Sequence, residues 1–234
     1  MAAKVVPSPL AADRAEALAL TPVSRETEER LDRFVDLLLT WQKTTHLVSP
    51  ASVPKLWTRH VADSLQLLDL AQDLAPQAHL WVDLGSGGGF PGLVIACALA
   101  DRPGGQRAQV HLVESNNRKA AFLREAVRIT GAPAMVEAMR IEKFVANFAT
   151  VPDVITSRAL LPFKPLIEQS FSMLSKGALG LFPKGRDVEV ELTHAAKYWN
   201  IDCNLVPSRT DSLARIVVVR GVDRHQTSSS ESRQ

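Results

Sequence analysis

Several common chemistries are poorly supplied in this chain. Its 234 residues contain two cysteines and one tyrosine. Cys97 and Cys203 stand far apart in no metal-ligand spacing, so a zinc or iron–sulfur motif is excluded and a reducing compartment is expected. Charge of either sign is also scarce in net terms. Lys and Arg number 27 against 25 Asp and Glu, a formal +2, so nucleic acid could be held only by clustered basic groups, not by overall excess. No apolar run approaches a membrane span, and Lys4, Asp13, Arg14 and Glu16 interrupt the N-terminal alanines that a signal peptide would need uncharged. A cytoplasmic protein without a membrane or metal partner is expected. Nor is there an obvious Ser-His-Asp or paired-carboxylate constellation. What is present, at 46% hydrophobic and 22% charged residues, suits one sizeable core.

The chain divides by rhythm. Residues 1–22, rich in Ala and Pro without a clear period, and residues 222–234, polar and Ser-rich, read as loose tails. Residues 23–75 read as a helical cap. Behind Ser24 as N-cap, Leu31, Phe34, Val35, Leu38 and Trp41 recur at helical steps; a second helix after Pro54 sets Leu56, Trp57, Val61, Leu65 and Leu68 opposite Arg59, His60 and Asp63. Residues 76–221 alternate short apolar runs, "LWVDLG", "QVHLVES", "PAMVEAM", "DVITSRAL" and "GALGLFP", with helical stretches. Such runs are strands buried on both faces, so an α/β fold with a mostly parallel sheet is expected, closed by an antiparallel hairpin split at "RTDS".

"VDLGSGGGFPGL", residues 82–93, falls between the first strand and its helix, where open α/β sheets bind ligands. Glycines there let backbone approach a ligand, and Pro91 suits a helix start. Two ligand classes compete. G-x-G-x-x-G at Gly87, Gly89 and Gly92, with Glu114 22 positions later, permits a dinucleotide and hence an oxidoreductase. Asp83 before the glycines and Glu114 after the second strand also suit S-adenosylmethionine, whose ammonium and ribose hydroxyls both seek carboxylates. A non-catalytic nucleotide sensor would keep the same pocket.

The stretches "VDLGSGGGFPGLVIA", "LVESNNRKAAFLREA", "MRIEKF", "ITSRAL" and "FPKG" follow one another in an order that resembles the RsmG (GidB) family of bacterial methyltransferases, from about Ser24 to Arg220. The resemblance implies a seven-stranded Rossmann-like methyltransferase fold, S-adenosyl-L-methionine as cofactor, and methylation of guanine N7 in the 530 loop of 16S ribosomal RNA, on naked RNA or the small ribosomal subunit. A monomer is the default. Where the family usually has Trp-Asn and a later Asn-Leu-Thr, this chain has "WQKTTHLVSP", so no role carries over to Gln42 or His46.

Residue by residue, the resemblance implies that Gly85 and Phe90 contact the cofactor, with Gly87 in the same loop, and that Ile141 and Glu142 hold its adenosine end. Glu114 is assigned to the ribose hydroxyls and Asp83 to the methionine end; a loop-bracing carboxylate is the plainer role for Asp83. Arg158 follows apolar strand positions and would be costly to bury unpaired, so it should emerge at the ligand edge against an anion or planar group. Lys184 in "FPKG" and Arg215 are assigned to RNA phosphate, and Arg59 and His60 in "RHVADS" to RNA across the glycine loop. Arg59 and Asp63, four apart on one helix, would also form a weak ion pair. Guanine N7 carries a lone pair and no proton, so positioning suffices and no general base is needed.

Overall fold

The computed structural model describes residues 8–225, except 103 and 159. Seven strands form one sheet: β1 (Leu80–Leu84), β2 (Gln109–Val113), β3 (Ala134–Glu137), β4 (Val154–Thr156), β5 (Leu179–Lys184), β6 (Trp199–Pro207) and β7 (Arg215–Arg224). Their order is β3-β2-β1-β4-β5-β7-β6. Only β7 runs against the rest, pairing antiparallel with both β5 and β6. The strand order turns at β1 and β4, and there the carboxyl edge opens the crevice in which such sheets bind ligands.

Alternation along β1 divides the core. Trp81 faces a cluster shared with the N-terminal helices, α4 (Gly92–Leu99) and α5 (Asn117–Thr130). Val82 and Leu84 face a second cluster under α6 (Ile141–Asn147), α7 (Phe163–Leu174) and α8 (Val188–Ala195). Both faces are therefore covered, as near-continuous apolar strands require.

The cap begins earlier than the composition indicates. Residues 9–20 form α1 (Pro9–Leu20), with Ser8 accepting from the Ala11 N–H and Pro9 at the first helical position. Arg14 binds Glu28 at 3.0 Å and Asp32 at 2.7 Å, on α2 (Arg25–Gln42), and Ala17 is buried. The expected loose tail is thus a packed helix over its described part, because partners distant in sequence supply what its weak periodicity lacks. Residues 1–7 and 226–234 lie outside the described residues, and the C-terminal boundary expected at 222 falls inside β7.

The second cap helix is also more elaborate than its pattern. A 3₁₀ turn at Pro50–Lys55 leads into a π-helical turn at Trp57–Ala62 and then α3 (Asp63–Leu74). The buried Asp13 carboxylate accepts from the N–H groups of Trp57 (2.7 Å) and Thr58 and from the Thr58 hydroxyl. A residue on α1 thereby caps the π-turn from outside its own segment. Among the described residues no helix is long and apolar enough to cross a membrane.

Candidate active site

The glycine loop leaves β1 pinned from below. The N–H groups of Gly85 and Ser86 donate to the Val113 carbonyl, and Ser157 Oγ donates to the Leu84 carbonyl at 2.8 Å. Gly85 and Gly87 have φ of +76° and +54°, a region that side chains disfavour. Glu114, at the end of β2, accepts from Gly87 N–H at 2.9 Å and from Asn116 N–H at 2.7 Å, tying the loop to the start of α5. Each carboxylate oxygen keeps acceptor capacity beyond that bond. Glu114, Gly85 and Gly87 line a cleft of about 900 Å³ with Phe90, Arg158 and His60.

Asp83 does not join them. Its carboxylate points between the sheet and α4, where Oδ1 accepts from Thr156 Oγ1 at 2.7 Å and Oδ2 from Gly92 N–H at 3.2 Å. Burial pushes its pKa up to about 6, against these hydrogen bonds, which favour the charged form. The buried carboxylate braces the loop and is not among the residues that line the cleft, where the methionine-end assignment sets it. Gly92 is part of that brace: a Cβ there would lie 2.6 Å from Asp83 Cβ and from Leu112 Cδ2.

Arg158 emerges from β4 into the cleft, as its strand position requires. Its Nη1 donates to the Arg59 carbonyl at 3.0 Å and contacts Asp63 Oδ2 at 3.4 Å, its Nη2 donates to His60 Nδ1, and its guanidinium lies 5.4 Å from the Phe90 ring centre. Burial lowers its pKa, and Asp63 opposes that fall. His60 also bonds Ser52 Oγ through Nε2 at 2.8 Å and lies tilted by 35° against the Phe90 ring, with centroids 4.9 Å apart. With Nδ1 accepting from Arg158, Nε2 carries the proton. Burial first, then the positive charges of Arg158 and Arg59, depress His60 to about 3, so the ring is neutral at physiological pH. The expected Arg59–Asp63 ion pair is replaced: Arg59 is exposed and stands 4.0 Å from Asp211, while Asp63 belongs to Arg158.

Four other assigned residues have different surroundings. The Lys184 ammonium donates to the Leu161 carbonyl at 2.6 Å and to Glu191 at 2.9 Å, with its side chain 9% exposed, so it braces the cleft wall and offers no free charge to phosphate. Arg215 pairs in register with Lys184 and folds onto the carbonyls of Ser212 and Ala214 at the foot of the β6–β7 loop. Ile141 and Glu142 open α6 and are not among the residues lining the cleft: Ile141 packs against the second core cluster, and Glu142 accepts from Gln169 at 2.8 Å in a groove between α6 and α7.

Sequence reasoning passed over the residues that set the cleft's upper wall. Gln42 Nε2 donates to the Val48 carbonyl, while Oε1 accepts from Leu47 N–H and Val48 N–H, at 2.8 to 3.1 Å, so one amide holds the 43–48 loop. That loop meets Gly88, whose Cβ would lie 2.9 Å from the Leu47 carbonyl oxygen. The break from the family pattern at Gln42 is thus a structural brace. Glu191 gave no signal beyond an ordinary helix-start acid, yet it accepts from both Phe163 N–H and Lys184. His46 is exposed and does not line the cleft, and Cys97, pushed up to about 12 by burial, is an inert core thiol. Among the described residues no three His, Cys, Asp or Glu side chains gather as a metal site would require.

The sheet order with β7 reversed, and a glycine loop bound by the carboxylate at the end of β2, define a Rossmann-like methyltransferase fold. The O-methyltransferase from Bacillus cereus, solved in complex with SAH, shares it at a TM-score of 0.58 and 15% identity, over 90% of this chain and 97% of that one. The family is narrower. This chain belongs to the GidB family, rRNA small subunit methyltransferase G, whose model matches residues 27–215. Ribosomal RNA small subunit methyltransferase G of Bradyrhizobium sp. (strain BTAi1 / ATCC BAA-1182) is 56% identical over 216 residues, 92% of this chain and 94% of the relative. That of Rhodopseudomonas palustris (strain BisB5) is 51% identical over 231 residues, 98% and 96% respectively.

Proposed function

We propose that this enzyme transfers a methyl group from S-adenosylmethionine to N7 of a guanine in the 530 loop of 16S ribosomal RNA, in the cytoplasm, acting as a monomer on RNA or on the small subunit. The observation that carries this reading is the cleft in which Gly85, Gly87, Glu114, Phe90 and Arg158 converge. The residues fit the cofactor's chemistry. A Cβ at Gly87 would meet only the Gly85 carbonyl oxygen, at 3.8 Å, so the loop presents open backbone to the cleft. Glu114 offers acceptor capacity to ribose hydroxyls, and the first backbone amides of α6, not the side chains of Ile141 and Glu142, would serve the adenine end.

S-adenosylmethionine supplies an electrophilic methyl group when bound. The chain's own residues bind and orient. Arg158 and Phe90 form a cationic and aromatic wall that can hold a planar base, and the covered faces of the sheet exclude water from behind it. No proton needs a destination, since N7 has a free lone pair. His60 suits this: it is neutral, has both nitrogens engaged, and is a weak base by virtue of its depressed pKa.

The reading is tested by calorimetry with S-adenosylhomocysteine and with nicotinamide dinucleotide, and by label transfer from methyl-labelled cofactor to small-subunit RNA with the modified base mapped. Saturable dinucleotide binding without S-adenosylhomocysteine binding, or label on any atom but guanine N7, overturns it. In single turnover with both substrates saturating, His60→Gln should retain most of the wild-type rate between pH 6 and 8.5. A steep wild-type pH limb that disappears in the variant, with a rate loss of roughly 10²-fold or more, would return His60 to the role of base.

A further inference from the structure

Asp63 is the first residue of α3, directly after the π-turn, and its side chain is 15% exposed. Its Oδ1 accepts from Thr210 Oγ1 at 2.8 Å and from Gln66 Nε2 at 2.8 Å. Gln66 in turn accepts from Arg209 N–H at 2.9 Å and donates to Ser208 Oγ at 3.1 Å, so the cap and the β6–β7 loop hold that oxygen from two directions. The other oxygen, Oδ2, is left facing Arg158 at 3.4 Å. The remaining partners of Arg158 are neutral: the Arg59 carbonyl and His60 Nδ1. Both belong to the π-turn, and Asp63 follows it, so all three acceptors come from one short stretch of chain.

From this arrangement we infer that Asp63 is the positioning residue of the cleft: its carboxylate, oriented by Thr210 and Gln66, seats the Arg158 guanidinium against His60 and the Phe90 ring. Arg158 is largely covered, its side chain 17% exposed, and Asp63 is its one anionic hydrogen-bond partner among the described residues. A buried guanidinium without that partner would turn toward water. Its loss from the site would also free His60 Nδ1. This rests on the proposed function for its consequence in binding, but the geometric step can be read without any ligand.

The test uses the full chain and histidine NMR. His60 faces Ser52, Phe90, Arg59 and Arg158, and its titration is lowered first by burial and then by the charge of Arg158, so a change in Arg158 moves it. In the wild type the ring should stay in the Nε2–H form, with its midpoint near 3. In Asp63→Ala the midpoint should rise as the Arg158 charge leaves. Asp63→Asn keeps the volume and an acceptor for Thr210 while removing the charge; it should move His60 the same way, and it carries the test if the alanine variant does not fold. The opposing outcome has the opposite sign. If Arg158 stays seated without Asp63, deleting a nearby negative charge leaves the His60 midpoint unchanged or lower, and the inference fails. A wild-type midpoint near the ordinary histidine value overturns it too, since Arg158 would then not be seated.

Calorimetry gives the second arm. S-adenosylhomocysteine affinity or RNA methyl transfer should fall about tenfold or more in Asp63→Ala, as expected for loss of a charged hydrogen-bond partner. Unchanged binding and turnover alongside a released Arg158 would overturn the positioning role. Failure of the wild type to bind S-adenosylhomocysteine would instead refute the proposed function and leave the His60 result to stand alone.

Discussion

Asp83→Asn separates a carboxylate that braces a loop from one that holds a ligand. The folded-state pKa of Asp83 is about 6 against an ordinary 3.8, raised chiefly by burial. The difference of about 2 units corresponds to about 3 kcal/mol. Because the folded value is the higher one, the stability contributed by the carboxyl group is fully present below pH 3.8 and is lost as pH rises through about 6. At pH 7.5 the wild type therefore carries an ionised, buried group at a cost of about 3 kcal/mol relative to acid. Asparagine does not titrate. Its Oδ1 can take the Gly92 N–H while its Nδ2 donates to Thr156 Oγ1; the Thr156 hydroxyl proton then loses its acceptor, a cost that does not change with pH. Urea unfolding of both proteins at several pH values from 4 to 7.5 should give a stability difference that moves toward the variant by up to about 3 kcal/mol across that range. His60, depressed to about 3, acts with the opposite sign: its contribution is present above 6.5 and lost as pH falls toward 3. Both proteins share that effect, so it cancels in the difference. A difference that stays flat across the range would refute the reasoning. Little change in S-adenosylhomocysteine affinity is expected, since the carboxylate does not line the cleft.

Gly92→Ala places a Cβ 2.6 Å from two core carbons, so thermal or urea unfolding should show a loss of about 1–3 kcal/mol, with weakened S-adenosylhomocysteine binding in calorimetry. Arg59→Ala should reduce the slope of log RNA affinity against log salt by about one, whereas Lys184→Ala should leave the slope unchanged and lower stability by about 1–3 kcal/mol. Equal slope changes in the two variants would show that Lys184 leaves Glu191 to reach phosphate. Asp13→Ala strips the acceptor from two buried N–H groups, and a destabilisation on the order of 3 kcal/mol is expected from urea unfolding; a loss below about 0.5 kcal/mol would dismiss the cap supplied by α1.

Much of the architecture could be read from residue patterns, because strand burial and helical spacing are local. The β1 run, the glycine loop and the emergence of Arg158 at the carboxyl edge all follow from apolar positions next to a charge. The pattern was silent where partners come from far along the chain. Nothing near Asp13 announces that it caps residues 57 and 58, and nothing near Lys184 announces Leu161 and Glu191. The helical spacing of Arg59 and Asp63 suggested a pair, but the π-turn changes the register and a residue 95 positions away takes the carboxylate.

The reversal of β7 also fixes the edge at which the strand ends. The strand begins beside Lys184 at the carboxyl edge and ends at Arg224, opposite the first residue of β6. Ten residues of extended chain cover roughly 30 Å. The chain therefore enters β7 at the mouth of the cleft and departs from the far rim of the sheet. The end of β7 and the mouth of the cleft therefore lie at opposite edges of the sheet, so Arg224 is a point at which the protein can be held without covering the cleft.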